Sequence, residues 1–166
     1  QPGPAAQYSR TPATVRGQAP GLGEHNDEVR RELLRHGTAT GDAEADSGDS
    51  SSPTPEANRP LSGIRVADFG WILSIPHATA WLGTLGAEVI RIESQTNPDQ
   101  LRAGGMTPAQ ATDGITGINR AAGFNSLNFG KKRVTLNLHD PAGVNLAKEI
   151  VRHSDVVTEN FSAGTM

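Results

Sequence analysis

The side chains that most often carry chemistry are sparse in this sequence of 166 residues. It has no cysteine, which excludes disulfides and thiolate nucleophiles. None of its histidines is paired at the spacing of metal ligands, so no metal site is predicted; they are His25, His36, His77, His139 and His153. The glycine patterns G-x-G-x-x-G and G-x-x-x-x-G-K-[ST] are also missing, which argues against nicotinamide dehydrogenases and P-loop nucleotide hydrolases.

Three loops are the best candidates for a ligand site, because each follows a stretch that reads as a buried strand. They cover residues 70–75, 93–97 and 159–164. In a sheet of parallel strands joined by helices, ligands bind at the carboxyl ends of the strands. A ligand is therefore expected where these loops meet.

A strand–helix–strand unit is predicted over residues 60–93. A short β-prone run ends near Phe69, and Pro76 is well placed as the first residue of a helix because it lacks the N–H that would be unpaired there. Gly86 supplies a left-handed helix stop, and Val89, Ile90 and Ile92 then form a second apolar strand. A helix of this length between two strands indicates a right-handed βαβ unit with parallel strands.

A second unit of the same kind is predicted downstream. Residues 94–123 are interpreted as a long polar connection and 124–132 as a loop, before a strand over 133–138. Asp140 and Pro141 are expected to be the N-cap and first residue of a helix that leads to a strand at 155–158. The fold class is therefore α/β, with Rossmann-like βαβ units around a parallel sheet.

The first 59 residues are interpreted differently. Residues 1–23 are rich in proline and glycine, which predicts a disordered tail or an extended arm on a larger body. Residues 24–36 predict a short helix with Asn26 as N-cap and Gly37 as stop, and such a helix needs a docking surface to be stable. Residues 38–59 lack large apolar side chains and are predicted to be a disordered linker.

Composition excludes several classes of protein. The net charge of −3 and the lack of a long basic block argue against a nucleic-acid binder. No apolar run approaches the roughly 20 residues of a membrane helix, so no membrane partner is expected. The absence of cysteine fits a cytoplasmic protein. The chain starts at Gln1 and stops just after a strand-like run, so it is interpreted as part of a longer protein.

Several stretches resemble a known family in sequence and in order. PLSGIRVADFG, LGTLGAEVIRIE, FNSLNFGKKRVTLNLHDPAG and SDVVTENFSAG resemble the N-terminal region of family III CoA-transferases, the CaiB/BaiF group, which includes formyl-CoA transferase and α-methylacyl-CoA racemase. The earlier stretch RTPATVRGQAPGLGEHNDEVRRELL resembles the C-terminal end of the same family. The resemblance thus implies the C-terminal end of one module at 1–37, a linker at 38–59 and the start of a second module at 60–166, in preference to a circular permutation.

The resemblance implies transfer of CoA from an acyl-CoA thioester to a carboxylic acid through an aspartyl-CoA intermediate, with CoA as substrate and no metal. In the family the nucleophilic aspartate lies well beyond the ENF motif, so the resemblance implies that it lies outside these residues. Asp68, Asp140 and Asp155 are not expected to replace it, because they are placed at strand and helix ends. Alternatives are an acyl-CoA racemase or CoA-ester lyase of the same fold, or a non-catalytic CoA-binding or structural module. Family members form interlocked dimers, and two fused modules could form such a pair within one chain.

By position, six residues match the CoA-contacting segments of the family: Ile72, Leu73, Leu136, Leu138, Asn160 and Phe161. The alternatives are core packing for the aliphatic residues and Phe161, and a turn cap for Asn160. The basic run at 131–133 is expected to be a solvated strand entry, with contact to CoA phosphates as the alternative. Leu73 stands where formyl-CoA transferase has a glutamine, and Ile75-Pro76 stands where the family favours Gly-Pro. These departures disfavour formyl-CoA and oxalate as substrates or indicate a degenerate module.

Overall fold

The computed structural model describes residues 19–38, 59–105 and 116–165. It contains helices and strands in alternation, with two short 3₁₀ helices between the second and third strands. The elements are α1 (Asn26–Thr38), β1 (Arg65–Asp68), α2 (Ser74–Thr84), β2 (Glu88–Glu93), 3₁₀ helices at Gln100–Gly104 and Ile118–Arg120, α3 (Ala122–Asn128), β3 (Lys132–Thr135), α4 (Pro141–Arg152) and β4 (Val156–Thr158).

The strands form one four-stranded sheet in the order β3-β2-β1-β4, and every pairing in it is parallel. This confirms the α/β fold with a parallel sheet. The chain moves outward from β1 through β2 to β3, and then α4 carries it back across the sheet to β4 on the far side of β1. The strand order therefore reverses between β1 and β4, the place where sheets of this class form their ligand crevice.

The two faces of the sheet are packed differently. One face carries the main apolar core, in which strand residues such as Ile90 and Val134 meet Val29 and Leu33 of α1 and Ile150 of α4. The opposite face packs Val66 and Val89 with Leu82 of α2. Because strand side chains alternate between faces, Asp68, Arg91 and Glu93 share this second face. Charged side chains are thus directed to the α2 side of the sheet.

The predicted helix signals are largely confirmed. Asp140 is the N-cap of α4, where its carboxylate accepts the Ala142 N–H, and Pro141 is the first helical residue. Gly86 has φ +117° directly after the α2 C-cap, as the predicted left-handed stop requires. Pro76 is the third residue of α2 rather than the first, because the helix begins at Ser74.

Two loop predictions are wrong. The connection predicted over 94–123 contains the 3₁₀ helices, and its Arg102 is fully buried; residues 106–115 lie outside the described residues. The loop predicted over 124–132 begins instead as α3, in which Phe124 and Asn128 are fully buried. Burial of these few side chains decides the structure of a segment whose local propensities are weak.

The helix α1 docks on the outer edge of β3. His25 N–H donates to the Arg133 carbonyl at 2.9 Å, and Arg133 N–H donates to His25 Nδ1 at 3.1 Å. The prediction of Asn26 as N-cap is wrong, because its amide side chain instead exchanges hydrogen bonds with Thr135, at 2.8 Å to the backbone N and 2.9 Å to Oγ1. The helix also continues to Thr38, past the predicted stop at Gly37. These bonds cover a sheet edge that would otherwise expose unpaired backbone groups.

The remaining N-terminal predictions are a tail or arm at 1–23 and a disordered linker at 38–59, and residues 1–18 and 39–58 of these segments lie outside the described residues. Among the helices of the described residues, none combines the length and the hydropathy needed to cross a membrane.

Candidate functional site

The candidate site lies where the loops after β1 and β4 meet. These strands are neighbours, with Ala67 paired to Val157 and Asp68 to Thr158. The chain therefore leaves the sheet at two adjacent points, as residues 70–73 (the β1 loop) and residues 159–161 (the β4 loop). Four of the six residues predicted to contact CoA are in these two loops.

Asn160 joins the two loops through its side chain. Its Oδ1 accepts the Trp71 N–H at 2.7 Å, and its Nδ2 donates to the Trp71 carbonyl at 3.0 Å and to Ser74 Oγ at 3.1 Å. The turn-cap alternative does not describe this arrangement, because the amide binds a loop 89 residues away in sequence. The contact of Asn160 with CoA stays a prediction.

The surface formed by the two loops is mainly apolar. Ile72 and Leu73 are 40% and 59% exposed, so neither is a core residue. Phe161 is partly buried against the main core, and its ring centroid lies 6.2 Å from that of Trp71. Exposed aliphatic side chains beside aromatic rings form a surface suited to the apolar part of a ligand.

Ile72 has an unusual backbone conformation. Its φ of +60° makes it the only non-glycine residue in the left-handed region among those described. For a β-branched residue this region is strongly disfavoured, and such strain costs on the order of 1–3 kcal/mol. Strained residues of this kind cluster at ligand sites, where surrounding contacts maintain them.

Leu136 and Leu138 lie elsewhere on the same edge of the sheet. They follow β3, which is separated from β1 by β2. Leu136 is 9% exposed and belongs to the main core, so for this residue the packing alternative describes the structure. Leu138 is 43% exposed and remains available for a ligand contact.

A cluster of buried charges lies behind the β1 loop. The basic run was expected to be solvated, which is wrong for Lys131 and Arg133, since they are 3% and 0% exposed. The buried members of the cluster are four cations and three carboxylates: Arg91, Arg102, Lys131, Arg133, Asp68, Glu93 and Asp99. Their mutual ion pairs make their burial possible.

Phe124 forms the centre of this cluster. The guanidinium carbons of Arg91, Arg102 and Arg133 lie 5.6, 3.7 and 4.6 Å from the centroid of its ring. Arg102 also donates to Glu93 at 3.1 Å, and Arg133 is ion-paired with the same carboxylate. The negative face of a buried aromatic ring attracts desolvated cations, which partly offsets the excess of positive charge.

Lys131 connects the cluster to α2. Its ammonium group donates to Asp68 Oδ2, the Pro76 carbonyl, Thr79 Oγ1 and Asn128 Oδ1 at distances between 2.8 and 3.2 Å. Burial lowers the pKa of Lys131 to about 8, although the nearby Asp68 carboxylate opposes that change. Burial likewise lowers the pKa of Arg102 to about 10, and the positive charge of Arg91 adds to this effect.

The aspartates that sequence reasoning assigned to structural positions have structural contacts. Asp68 accepts the Gly70 N–H at 2.8 Å and the Thr79 hydroxyl at 2.7 Å, and it is fully buried. Asp140 caps α4, and Asp155 accepts the Arg65 N–H at 2.8 Å. Each carboxylate already accepts hydrogen bonds that maintain the fold.

Sequence reasoning missed Asp99, Arg91 and Phe124. A signal for Arg91 was present, because charged residues in a central parallel strand must be paired in the interior. Asp99 could have been noted as the N-cap of the 3₁₀ helix at Gln100–Gly104, where it accepts the Leu101 N–H at 2.9 Å. Nothing local indicates that its other oxygen reaches the β1 loop.

Comparison with known proteins identifies the family. A family model described as CoA-transferase family III matches residues 61–166. The chain belongs to this family. Relatives of this chain include the succinyl-CoA–L-malate CoA-transferase beta subunit of Chloroflexus aurantiacus, 38% identical over 64% of this chain and 24% of the relative. Another is the succinate–glutarate CoA-transferase of Agrobacterium fabrum, 37% identical over 64% of this chain and 26% of the relative.

A solved structure of a CaiB/BaiF family protein from Brucella suis has the same fold. It superimposes with a TM-score of 0.55 at 34% identity, covering 64% of this chain and 27% of that protein. The chain thus spans about a quarter of the length of the family III relatives it matches. Within the described part of the chain, no group of three His, Asp or Glu side chains could hold a metal ion.

Proposed function

We propose that the protein containing this chain transfers CoA between an acyl-CoA thioester and a carboxylic acid. The loops at the strand-order reversal carry this proposal, because they form a mainly apolar surface within the region that the family model matches. On this surface, Ile72, Leu73 and Phe161 contact the CoA ester, and Asn160 holds their loops together. Leu138 contacts the CoA ester from the end of β3, on the same edge of the sheet. Leu136 packs beneath the end of β3.

Succinyl-CoA is the proposed donor and a dicarboxylic acid the proposed acceptor, since the names of both CoA-transferases pair succinyl-CoA or succinate with a second dicarboxylic acid. The proposed intermediate is an aspartyl-CoA thioester on an aspartate outside these 166 residues. The structural contacts of Asp68, Asp140 and Asp155 support that assignment. Covalent catalysis of this kind divides one difficult exchange into easier steps. A cytoplasmic location remains a prediction.

The test is an assay of the full-length protein with succinyl-CoA and a panel of mono- and dicarboxylic acids, followed by mass spectrometry of the CoA thioesters. A transferase produces a new thioester and conserves the total amount of thioester. A racemase leaves the thioester chemically unchanged, a lyase cleaves or adds across the acyl chain, and a non-catalytic module does none of these. Any of the last three results would contradict the proposal.

A matched pair of leucines tests the site within this assay. Leu73→Asp places a charge on the proposed apolar surface and should raise KM for the acyl-CoA by about tenfold, the loss expected when one leucine contact is removed. Leu34→Asp changes a leucine of similar exposure on α1, 63% against 59%, and should leave KM nearly unchanged. Equal effects of both variants would show that the loop is not the binding surface.

We further propose that residues 1–37 end one CoA-transferase module and residues 60–166 begin the next, joined by the linker at 38–59. Support comes from the hydrogen bonds of His25 and Asn26 to the edge of β3, because through these bonds the segment before the linker fits the sheet that follows it. The name "beta subunit" of one relative also suggests paired modules. The proposed assembly is an interlocked pair of modules, within one chain or between two. Light scattering of the full-length protein and the gene sequence before Gln1 test the fusion of two modules, and a homodimer of single-module chains would refute that fusion.

A further inference from the structure

Three successive N–H groups of the β1 loop each donate to a side chain from a different part of the chain. The pairs are Gly70 to Asp68 Oδ1, Trp71 to Asn160 Oδ1 and Ile72 to Asp99 Oδ2, with N···O distances of 2.8, 2.7 and 3.0 Å. Because these N–H groups are used internally, the loop presents its side chains to a ligand instead of its amides. A phosphate-binding role for this loop would need the opposite arrangement.

Asp99 is held firmly in its position. Its side chain is almost fully buried, and the oxygen that accepts the Ile72 N–H also accepts Arg91 at 2.6 Å. The second oxygen accepts the Leu101 N–H at 2.9 Å. A carboxylate with three donors around it has no alternative orientation that keeps all of its hydrogen bonds.

Asn160 contacts the loop from the other side. It bonds both backbone groups of Trp71, as a neighbouring strand would, and it also bonds Ser74 at the start of α2. The strained Ile72 is thus held by two contacts: Asp99 accepts its own N–H, and Asn160 bonds the preceding residue, Trp71. A β-branched residue keeps φ > 0 only where such contacts impose it.

We propose that Asp99 and Asn160 are positioning residues that together impose the left-handed conformation of Ile72 and so direct Ile72 and Leu73 toward the acyl-CoA. Neither residue is catalytic, because each acts through the β1 loop. This inference rests on the proposed CoA site, since the ligand is the molecule for which the loop is positioned. The conformation of the loop itself can be tested without any ligand.

The conformational test uses full-length protein labelled with 5-fluorotryptophan. Loss of one ¹⁹F signal in Trp71→Phe assigns the loop reporter, and Trp81→Phe assigns a reference on α2. Asn160→Ala removes an exposed side chain and should shift or broaden the Trp71 signal while the Trp81 signal stays in place. Asp99→Ala should do the same, and the Asn160 variant keeps the test valid if loss of the buried carboxylate prevents folding. Asn125→Ala, which removes another side chain-to-backbone hydrogen bond, is the control.

The kinetic test separates positioning from a general structural role. Each single variant should raise KM for the acyl-CoA by about tenfold, the effect of losing one or two hydrogen bonds, with kcat changed by less than about threefold. Because both residues act on one loop, the double variant should raise KM by clearly less than the product of the two single effects. A purely structural defect would instead lower the amount of active enzyme and leave KM unchanged.

Each outcome decides the proposal. An unchanged Trp71 signal in both variants would show that the loop keeps its conformation without these contacts and would overturn the proposal. A shifted signal with unchanged KM would also overturn it, since the loop conformation would not matter to the ligand. If the wild-type protein transfers no CoA, the proposed function fails; the ¹⁹F signals of the same variants still decide whether Asp99 and Asn160 hold the loop.

Discussion

Replacing the buried Lys131 with methionine should remove a pH dependence of folding stability. Burial lowers the pKa of this lysine from 10.5 to about 8, so between these values the unfolded chain binds more protons than the folded protein. The contribution of Lys131 to stability therefore rises with pH across this window. Integrated from pH 7 to pH 10, the linkage amounts to about 2.5 kcal/mol in favour of the folded state.

The measurement is urea-induced unfolding of this chain at several pH values, followed by circular dichroism. The wild-type stability minus that of Lys131→Met should increase by about 2.5 kcal/mol from pH 7 to pH 10, since all other titrating groups are shared. Lys148→Met removes one exposed positive charge from α4 and controls for the change in net charge. A difference between wild type and Lys131→Met that stays constant over this range would refute the reasoning, because it would mean that Lys131 does not titrate there.

Two further predictions concern the positions of the β1 loop and of α1. Gly70→Ala would place a Cβ 2.1 Å from Ile75 Cγ2 and should destabilise the protein by about 1–3 kcal/mol in urea unfolding. The control is Gly104→Ala, whose Cβ would have no atom within 4 Å and which should be nearly neutral. Equal effects of the two variants would contradict the predicted clash. Asn26→Ala removes two hydrogen bonds to β3 and should speed hydrogen exchange at the outer edge of that strand, by an amount that corresponds to about 1–2 kcal/mol. Unchanged exchange there would mean that α1 is held by its apolar contacts alone.

The parts of the fold that local patterns specify were predicted well. The Asp140-Pro141 start of α4 and the glycine stop after α2 depend on backbone geometry within a few residues, and both are present. The helix α3 was missed because its seven residues, AGFNSLN, have weak helical propensity. Its stability comes from burying Phe124 against three arginines, and such contacts between distant segments leave no local pattern.

The candidate site shows the same limit. Position in the family pattern placed Ile72, Leu73, Asn160 and Phe161 in loops that meet in the structure. The roles were harder to predict, because an asparagine that binds a ligand and one that binds a loop have the same residue type. Leu136 illustrates the opposite case, since an apolar residue just past a strand can face the core or the ligand. Only the register of β3 against β2 decides between the two.

The buried charges explain how the β1 loop can keep a strained conformation. Replacing buried ion pairs with apolar residues is often neutral or stabilising, so their presence is better explained by the specific arrangement that they impose. Here Asp68 and Asp99 each bond a cation of the cluster with one oxygen and have a second hydrogen bond to an N–H of the β1 loop. The loop is thereby tied to β1, to Arg91 of β2 and to Lys131 just before β3, and a shift of any one strand would break bonds in the cluster. An apolar interior would pack these elements without specifying the direction of the Gly70 and Ile72 N–H groups, and therefore without fixing which side chains face the ligand.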